Sequence, residues 1–362
     1  MSGSFDVAVV GGGVIGCALA SEMARRGASV VLLERERLAA GASYGAGGML
    51  APQVEAHGPG PLLELGLTAR AVFPEVAERL AGGFDLDLSG IVRVTFTEEG
   101  AAELRARAEW QGRRGLPARL LDAAEVRDRV PGLAAPPRAA LWVPDGQLDP
   151  VRLTLALAEE ALRHGARVRE GVPALRVRPG RVETPAGPVV AGAVVVAAGA
   201  WSVPLMAAPG HPVKGQRVVL RLPGHPLRHT TWGDGCYLVP KAGGRVLVGA
   251  TEEPEAGFDR RVTAEALARL LRAAAAVIPA LAGAEVVEPW AGLRPGSPDG
   301  LPLIGPAPGL DGVWLATGHQ RNGILLAPWT ARLIADALLE GAALPEACLP
   351  ERFAATGPGG AA

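Results

Sequence analysis

Three groups of residues have types and spacings suited to chemistry. The first is Gly11-x-Gly13-x-x-Gly16, followed 18 residues later by Glu34. Gly11 permits a tight turn, Gly13 has no Cβ to collide with a pyrophosphate, and Gly16 lets a helix pack closely. The N–H groups at the start of that helix, around Val14 and Ile15, and its positive dipole end then hold a diphosphate. Glu34 stands where a carboxylate accepts hydrogen bonds from a ribose hydroxyl. An acid there favours FAD or NAD over NADP, and the motif does not separate those two. A plain strand–turn–helix corner explains the glycines but accounts for the acid only by chance.

The second group is cationic. Arg294 sits inside the apolar stretch Trp290-Ala-Gly-Leu-Arg-Pro295, and Arg321 lies in Gly318-His-Gln-Arg-Asn-Gly323. An arginine among apolar residues is costly unless it meets an anion, and its planar fork suits a carboxylate. An internal salt bridge is the competing reading for Arg294, and spacing alone leaves Arg321 more ambiguous. The third group is His319, placed to act as a base or to position backbone, and the cysteines. Cys17, Cys236 and Cys348 are odd in number and show no C-x-x-C spacing, so neither a disulfide framework nor a metal site is expected. Cys17 lies at a helix start, where a thiol pKa can fall; a small packed side chain is the simpler role.

These residues need elements to position them. An apolar strand before Gly11, a helix from Val14 to about Arg26 and a second strand ending at Glu34 make a βαβ unit. Helical patterns fall at 61–80, 98–115, 123–129, 151–164, 263–277 and 324–340. Asp122 with Glu125 reads as a capping box, and Asp149 before Pro150 as an N-cap. Strand patterns fall at 90–96, 166–170, 174–178, 193–198, 213–221, 236–240, 245–251 and 312–316. The run Val194-Val-Val-Ala-Ala198 is apolar throughout, as in a strand buried in a parallel sheet, and ends at Gly199, where an open α/β sheet binds ligands. Cys236–Pro240 and Arg245–Thr251 flank Lys241-Ala-Gly-Gly244 and read as an antiparallel hairpin. Four glycines in eight residues, Gly41 to Gly48, suggest close backbone approach to a ligand, and Met49-Leu50 beyond them suggests packing. The fold class is α/β with an α+β portion: a Rossmann-like nucleotide domain built from 1–80, 143–210 and 291–345, and an inserted, mostly antiparallel β domain built from 81–142 and 211–290. Residues 346–362 read as a flexible tail.

The chain has 362 residues, 49% hydrophobic and 20% charged, enough for two domains with sizeable cores. Its formal net charge of -1 gives no reason to expect nucleic acid or an acidic membrane surface as partner. No apolar run reaches the ~18 residues of a membrane span. The first strand begins within a few residues of Met1, which leaves no room for a signal peptide, so a cytoplasmic location is expected.

Taken together, these motifs resemble the D-amino-acid oxidase/glycine oxidase family of FAD enzymes, nearest to members that serve thiamine-thiazole biosynthesis. The resemblance runs from Val7 to about Leu339 and is carried by Gly41-Ala-Ser43, Ala46-Gly-Gly-Met-Leu-Ala-Pro52, Cys236-Tyr-Leu-Val-Pro-Lys241, Val248-Gly-Ala-Thr251, Trp290–Pro295 and Arg321-Asn-Gly-Ile-Leu-Leu-Ala-Pro328. It implies that Arg294 pairs with a substrate carboxylate, that Tyr237 donates to it, that Met49 closes a small pocket and that Arg321 lies beside it. It implies FAD contacts along the glycine turn, at Glu34 and Arg35, and along Ala42, Ser43, Gly47, Gly48 and Met49. Further contacts are implied at Val172, at Ala198, Gly199 and Trp201, and at Gly318, His319, Arg321, Asn322, Gly323 and Ile324. No cysteine occupies 292–299, where sarcosine-oxidizing relatives attach their flavin, so FAD is expected to be non-covalent.

The implied activity is oxidative deamination of glycine, sarcosine or a small D-amino acid. Hydride passes from Cα to flavin N5 and oxygen returns the flavin to its oxidized state, giving peroxide. Two departures bear on substrate choice: Glu252 and Gln320 stand where the family often has an apolar residue and a phenylalanine, and the acid either favours a substrate with an extra amine or simply faces solvent. The implied partners are a small amine and molecular oxygen, with self-association left open. The competing readings are a dehydrogenase serving another acceptor, which would want a membrane anchor, and a tRNA-base oxidase, which would want a basic face. The last is a non-catalytic nucleotide-binding subunit, which has no use for an arginine aimed at a carboxylate.

Overall fold

The computed structural model describes residues 4–224 and 227–353. Two eight-stranded sheets face a shared cleft. In the first sheet, the parallel strands Phe5–Val10, Val30–Leu33, Arg167–Arg169, Val189–Val196 and Val313–Thr317 form the centre, with Phe5–Val10 between Val30–Leu33 and Val189–Val196. Leu303–Pro306 closes one edge antiparallel to Val313–Thr317. Val7 to Val10, Val30 to Leu33 and Val194 to Val196 are all buried, which explains their unbroken apolar runs: a parallel sheet is covered on both faces. The helices Val14–Arg25, Pro150–Arg163 and Gly323–Glu340 pack together and share one core with this sheet.

The second sheet is mostly antiparallel. Its order begins Glu285–Gly296, His211–Arg221, Arg245–Gly249, Cys236–Lys241 and continues through Thr230–Gly233 and Ile91–Thr95. Helix Ala264–Val277 covers it and helps to fill a separate core.

Both expected caps form. Asp122 and Glu125 make a reciprocal capping box, and Asp149 accepts from Val151 N and Arg152 N, both at 3.0 Å. Three expectations need correction. The helical pattern over 61–80 is two helices, Pro61–Ala71 and Phe73–Arg79, because Pro74 has no N–H to continue the ladder. The boundary at 291 falls inside the strand Glu285–Gly296, which belongs to the second sheet along its whole length. Its prolines, Pro289 and Pro295, obscure it in sequence but are tolerated at a sheet edge. Residues 346–353 are not a loose tail: Cys348 is buried, and Arg352 grips Asp299 through two nitrogens at 2.8 and 3.1 Å. The expected tail beyond 353 lies outside the described residues.

Candidate active site

The first sheet presents the glycine turn at the C-terminal ends of its strands. Gly11 has φ +115°, and a Cβ there would lie 2.4 Å from the Ala197 carbonyl oxygen. A Cβ on Gly16 would lie 1.8 Å from the Gly11 carbonyl oxygen, so the helix can approach the strand only without one. Gly13 differs: only Ser43 Oγ, at 3.2 Å, lies near its missing Cβ, and the residue lines the cleft. Ser43 is fixed by accepting from Val14 N at 2.9 Å. Glu34 ends its strand with both carboxylate oxygens engaged, Oε2 by Gly12 N at 2.6 Å and Oε1 by Glu36 N at 2.8 Å. Each oxygen retains acceptor capacity, and Glu34 lines the cleft. The Arg35 guanidinium stacks 3.9 Å from the Trp201 ring centre beside it.

The cleft has a volume of about 700 Å³, and residues of the turn, of the Ala42–Met49 loop, of Ala198–Trp201 and of the 319–324 segment line it. Four of the expected contacts stand behind its wall. Gly16 packs under the turn, and Val172 spends its N–H on Glu34 O at 2.8 Å. Gly318 makes a bend at φ +73°, and Asn322 N donates to His319 O at 2.8 Å. Near Val172, Pro173, Ala174 and Leu175 line the cleft in its place.

The second sheet supplies the other wall by a repeated device. The Arg294 guanidinium lies across Gly215 of the neighbouring strand, where a Cβ would stand 2.4 Å from Nη1. The Tyr237 ring lies across Gly249, its partner in register, where a Cβ would stand 2.4 Å from the phenol oxygen. Trp290 covers Gly45 and Gly292 in the same way. Two glycines on the inner strands thus let an edge arginine and a fourth-strand tyrosine lie inward and converge. Sequence reasoning misses Gly215 and names Gly249 only within the motif Val248-Gly-Ala-Thr251, although a glycine inside a strand pattern signals this kind of close approach.

The arginines lining this part of the cleft are unequally paired. Arg217 is 5% exposed and pairs with Glu288 at 2.8 Å. Arg321 is held by Glu55 at 3.0 Å and Glu252 at 3.1 Å. Arg294 is half-buried, donates to the Thr251 carbonyl at 3.1 Å and has no carboxylate within 4.0 Å among the described residues. Its internal-salt-bridge reading is thereby removed. The Tyr237 hydroxyl, likewise, bonds to no described residue. Burial raises its pKa, against the pull of Arg294 and Arg321, so it remains a donor. Met49 Sδ accepts from Trp232 Nε1 at 3.2 Å, and the Trp232 and Tyr237 ring centres are 5.5 Å apart.

His319 is 3% exposed, its Nε2 lies 3.1 Å from Thr330 Oγ, and burial lowers its pKa to about 3. It is a neutral residue of the cleft lining, not a base for an ammonium group. Burial also raises the Cys17 pKa, which outweighs the helix start. Lys241, which belongs to a hairpin turn and a resemblance motif but had no role assigned to it, ties the cofactor loop to the second sheet through Gly47 O at 2.8 Å and Leu148 O at 2.9 Å. Burial lowers its pKa to about 8.

A dinucleotide cleft facing an unpaired arginine and a free phenol narrows the range of known proteins, and the family model described as FAD dependent oxidoreductase matches residues 6–337. The chain belongs to the FAD dependent oxidoreductase family. It is 42% identical over 353 residues to the glycine oxidase of Geobacillus kaustophilus (strain HTA426), covering 93% of each chain. The crystal structure of glycine oxidase from Geobacillus kaustophilus superposes with a TM-score of 0.88 at 39% identity, over 93% of this chain and 95% of that one. A bifunctional protein ThiO/ThiG of Synechocystis is 36% identical over 98% of this chain, which spans 55% of that longer protein. FAD is therefore the dinucleotide of this flavoprotein family. The cradle fits it: Gly13 opens on the cleft, a Cβ on Gly41 or Gly199 would meet nothing within 4 Å, and the volume is ample. The glycine turn would hold its diphosphate and Glu34 its ribose.

Proposed function

We propose that this protein is a glycine oxidase. It converts glycine, oxygen and water to glyoxylate, ammonia and hydrogen peroxide, and it also accepts sarcosine and small D-amino acids. The observation that carries this reading is the unpaired Arg294 beside the free Tyr237 hydroxyl, a fork and a donor of the kind a carboxylate requires. Bound FAD, held without a covalent link, supplies the two-electron acceptor for the Cα hydride. The chain's own residues do the rest. Arg294 and Tyr237 fix the carboxylate and so aim Cα. Trp232, locked onto Met49, narrows the space for a side chain. The amine releases its proton to water or a nearby group such as Glu55; His319 is too weak a base and the Tyr237 phenol stays protonated.

The two sheets correspond in this proposal to an FAD-binding and a substrate-binding domain. Oxygen as acceptor, a cytoplasmic location and a role in thiamine-thiazole supply belong to the same reading. The thiamine role rests on the sequence resemblance and on the likeness to a protein named ThiO/ThiG. No helix among the described residues is long and apolar enough to cross a membrane.

The test is absorbance near 450 nm, a band of the oxidized flavin, on adding glycine without oxygen and then admitting air. Bleaching followed by rapid recovery with peroxide is expected. A flavin that glycine and sarcosine leave oxidized refutes the substrate, and slow recovery in air refutes oxygen as acceptor.

A further inference from the structure

Glu252 and Gln320, the two departures from the family pattern, touch each other. Gln320 Nε2 donates to Glu252 Oε1 at 3.2 Å, while Glu252 Oε2 takes Arg321 Nη1 at 3.1 Å. Arg321 also gives Nε to Glu55 Oε2 at 3.0 Å and lies 5.7 Å from the Trp232 ring centre. Glu55, Gln320 and Arg321 line the cleft, and Glu252 stands just outside them, 44% exposed. This group carries two carboxylates against one guanidinium. Tyr237 feels Arg321, Glu55 and Arg294 together, so the group adjoins the proposed carboxylate anchor.

We propose that Glu252 is a specificity-determining positioning residue: by occupying Arg321 it denies the cleft a second anion site and restricts the enzyme to amines with one carboxylate. The inference rests on Arg294 being the anchor for the first carboxylate. A second carboxylate reaching Arg321 meets a guanidinium already held by two acids and one excess negative charge. Removing the Glu252 charge leaves Arg321 balanced by Glu55 alone and lets the second carboxylate share it.

The test compares kcat/KM for sarcosine, with one carboxylate, and iminodiacetate, its analogue with two, in wild type, Glu252→Gln and Glu252→Asp. The ratio of iminodiacetate to sarcosine should rise on the order of tenfold in Glu252→Gln and stay near the wild-type value in Glu252→Asp. Binding of malonate and acetate, followed by perturbation of the flavin spectrum without turnover, should shift in the same sense. In wild type the iminodiacetate ratio should also rise with salt, because an exposed charge is screened. This readout holds even where a variant fails to fold. An unchanged ratio in Glu252→Gln, a parallel fall of both substrates or a salt-independent wild-type ratio overturns the inference and leaves the glycine oxidase reading intact. A wild-type enzyme that oxidizes no amino acid overturns that reading, and the inference falls with it.

Discussion

Replacing Arg294 tests the centre of the proposal. The guanidinium is half-buried, one nitrogen is committed to Thr251 O at 3.1 Å, and no described carboxylate neutralizes it. A carboxylate about 4 Å from it, in the effective dielectric of a partly exposed protein site, gains about 4 kcal/mol. Partial exposure returns part of that to water, leaving about 3 kcal/mol, or on the order of a hundredfold. Arg294→Ala should therefore lower kcat/KM for glycine on the order of a hundredfold, mostly through KM. Benzoate affinity, read from the flavin spectrum, should fall in parallel. Arg294→Lys keeps the charge but loses the fork and should lie about tenfold below wild type. Flavin content should be unchanged in both, because the glycine turn and Glu34 belong to the other sheet. The measurements are peroxide release against glycine concentration and the ratio of flavin to protein absorbance. A change below about fivefold in kcat/KM for Arg294→Ala would mean that the unpaired guanidinium is not the carboxylate anchor.

Tyr237→Phe removes one donor to a charged group and should cost roughly tenfold in kcat/KM for glycine; equal kinetics would remove the phenol from the site. Gly13→Val and Gly16→Val should separate in behaviour. Gly13 has φ −77° and ψ −179°, allowed for valine, and its missing Cβ meets only the short Ser43 side chain, at 3.2 Å, which must shift slightly, so its variant should fold as colourless apoprotein; Gly16→Val clashes with backbone and should lose folded yield. Purification of Gly13→Val with full flavin would refute the cradle. His319 gives a pH test. Its pKa falls from 6.5 in the unfolded chain to about 3 in the folded one, so the unfolded state binds more protons between those values and stability declines as pH falls through them. Between pH 6.5 and 5 this costs about 2 kcal/mol, which His319→Gln should not show in urea unfolding. Parallel curves for the two proteins would refute it.

The nucleotide half was legible because its requirements are local. The glycines, the apolar strand and Glu34 lie within one βαβ unit, so spacing alone places them. The second wall depends on register between strands far apart in sequence. Arg294 lies over Gly215, and Tyr237 over Gly249, and no linear spacing announces either pair. The strand that carries Arg294 was obscured by its own prolines, which only its edge position makes harmless. His319 and Cys17 are residue types that suggest chemistry, and burial, which spacing does not record, decides between their alternatives: Cys17 is packed, as expected, and His319 is held neutral.

Composition names the arginines of this cleft, but pairing decides their roles. Arg217, Arg294 and Arg321 all line it. Arg217 is tied to Glu288, lies 5.4 Å from each of the Tyr44 and Trp290 ring centres, and so braces the wall. Arg321 is saturated by two acids and shapes the mouth. Arg294 alone among the three lacks an acid, and a cation left so in a half-buried place costs free energy until an anion arrives. The fold meets that cost through the packing around Gly215 and Thr251 and keeps the charge in place for the ligand. In the proposed function, specificity follows from this arrangement: a substrate carboxylate would recover what the empty site forgoes, whereas an amine without a carboxylate would recover nothing.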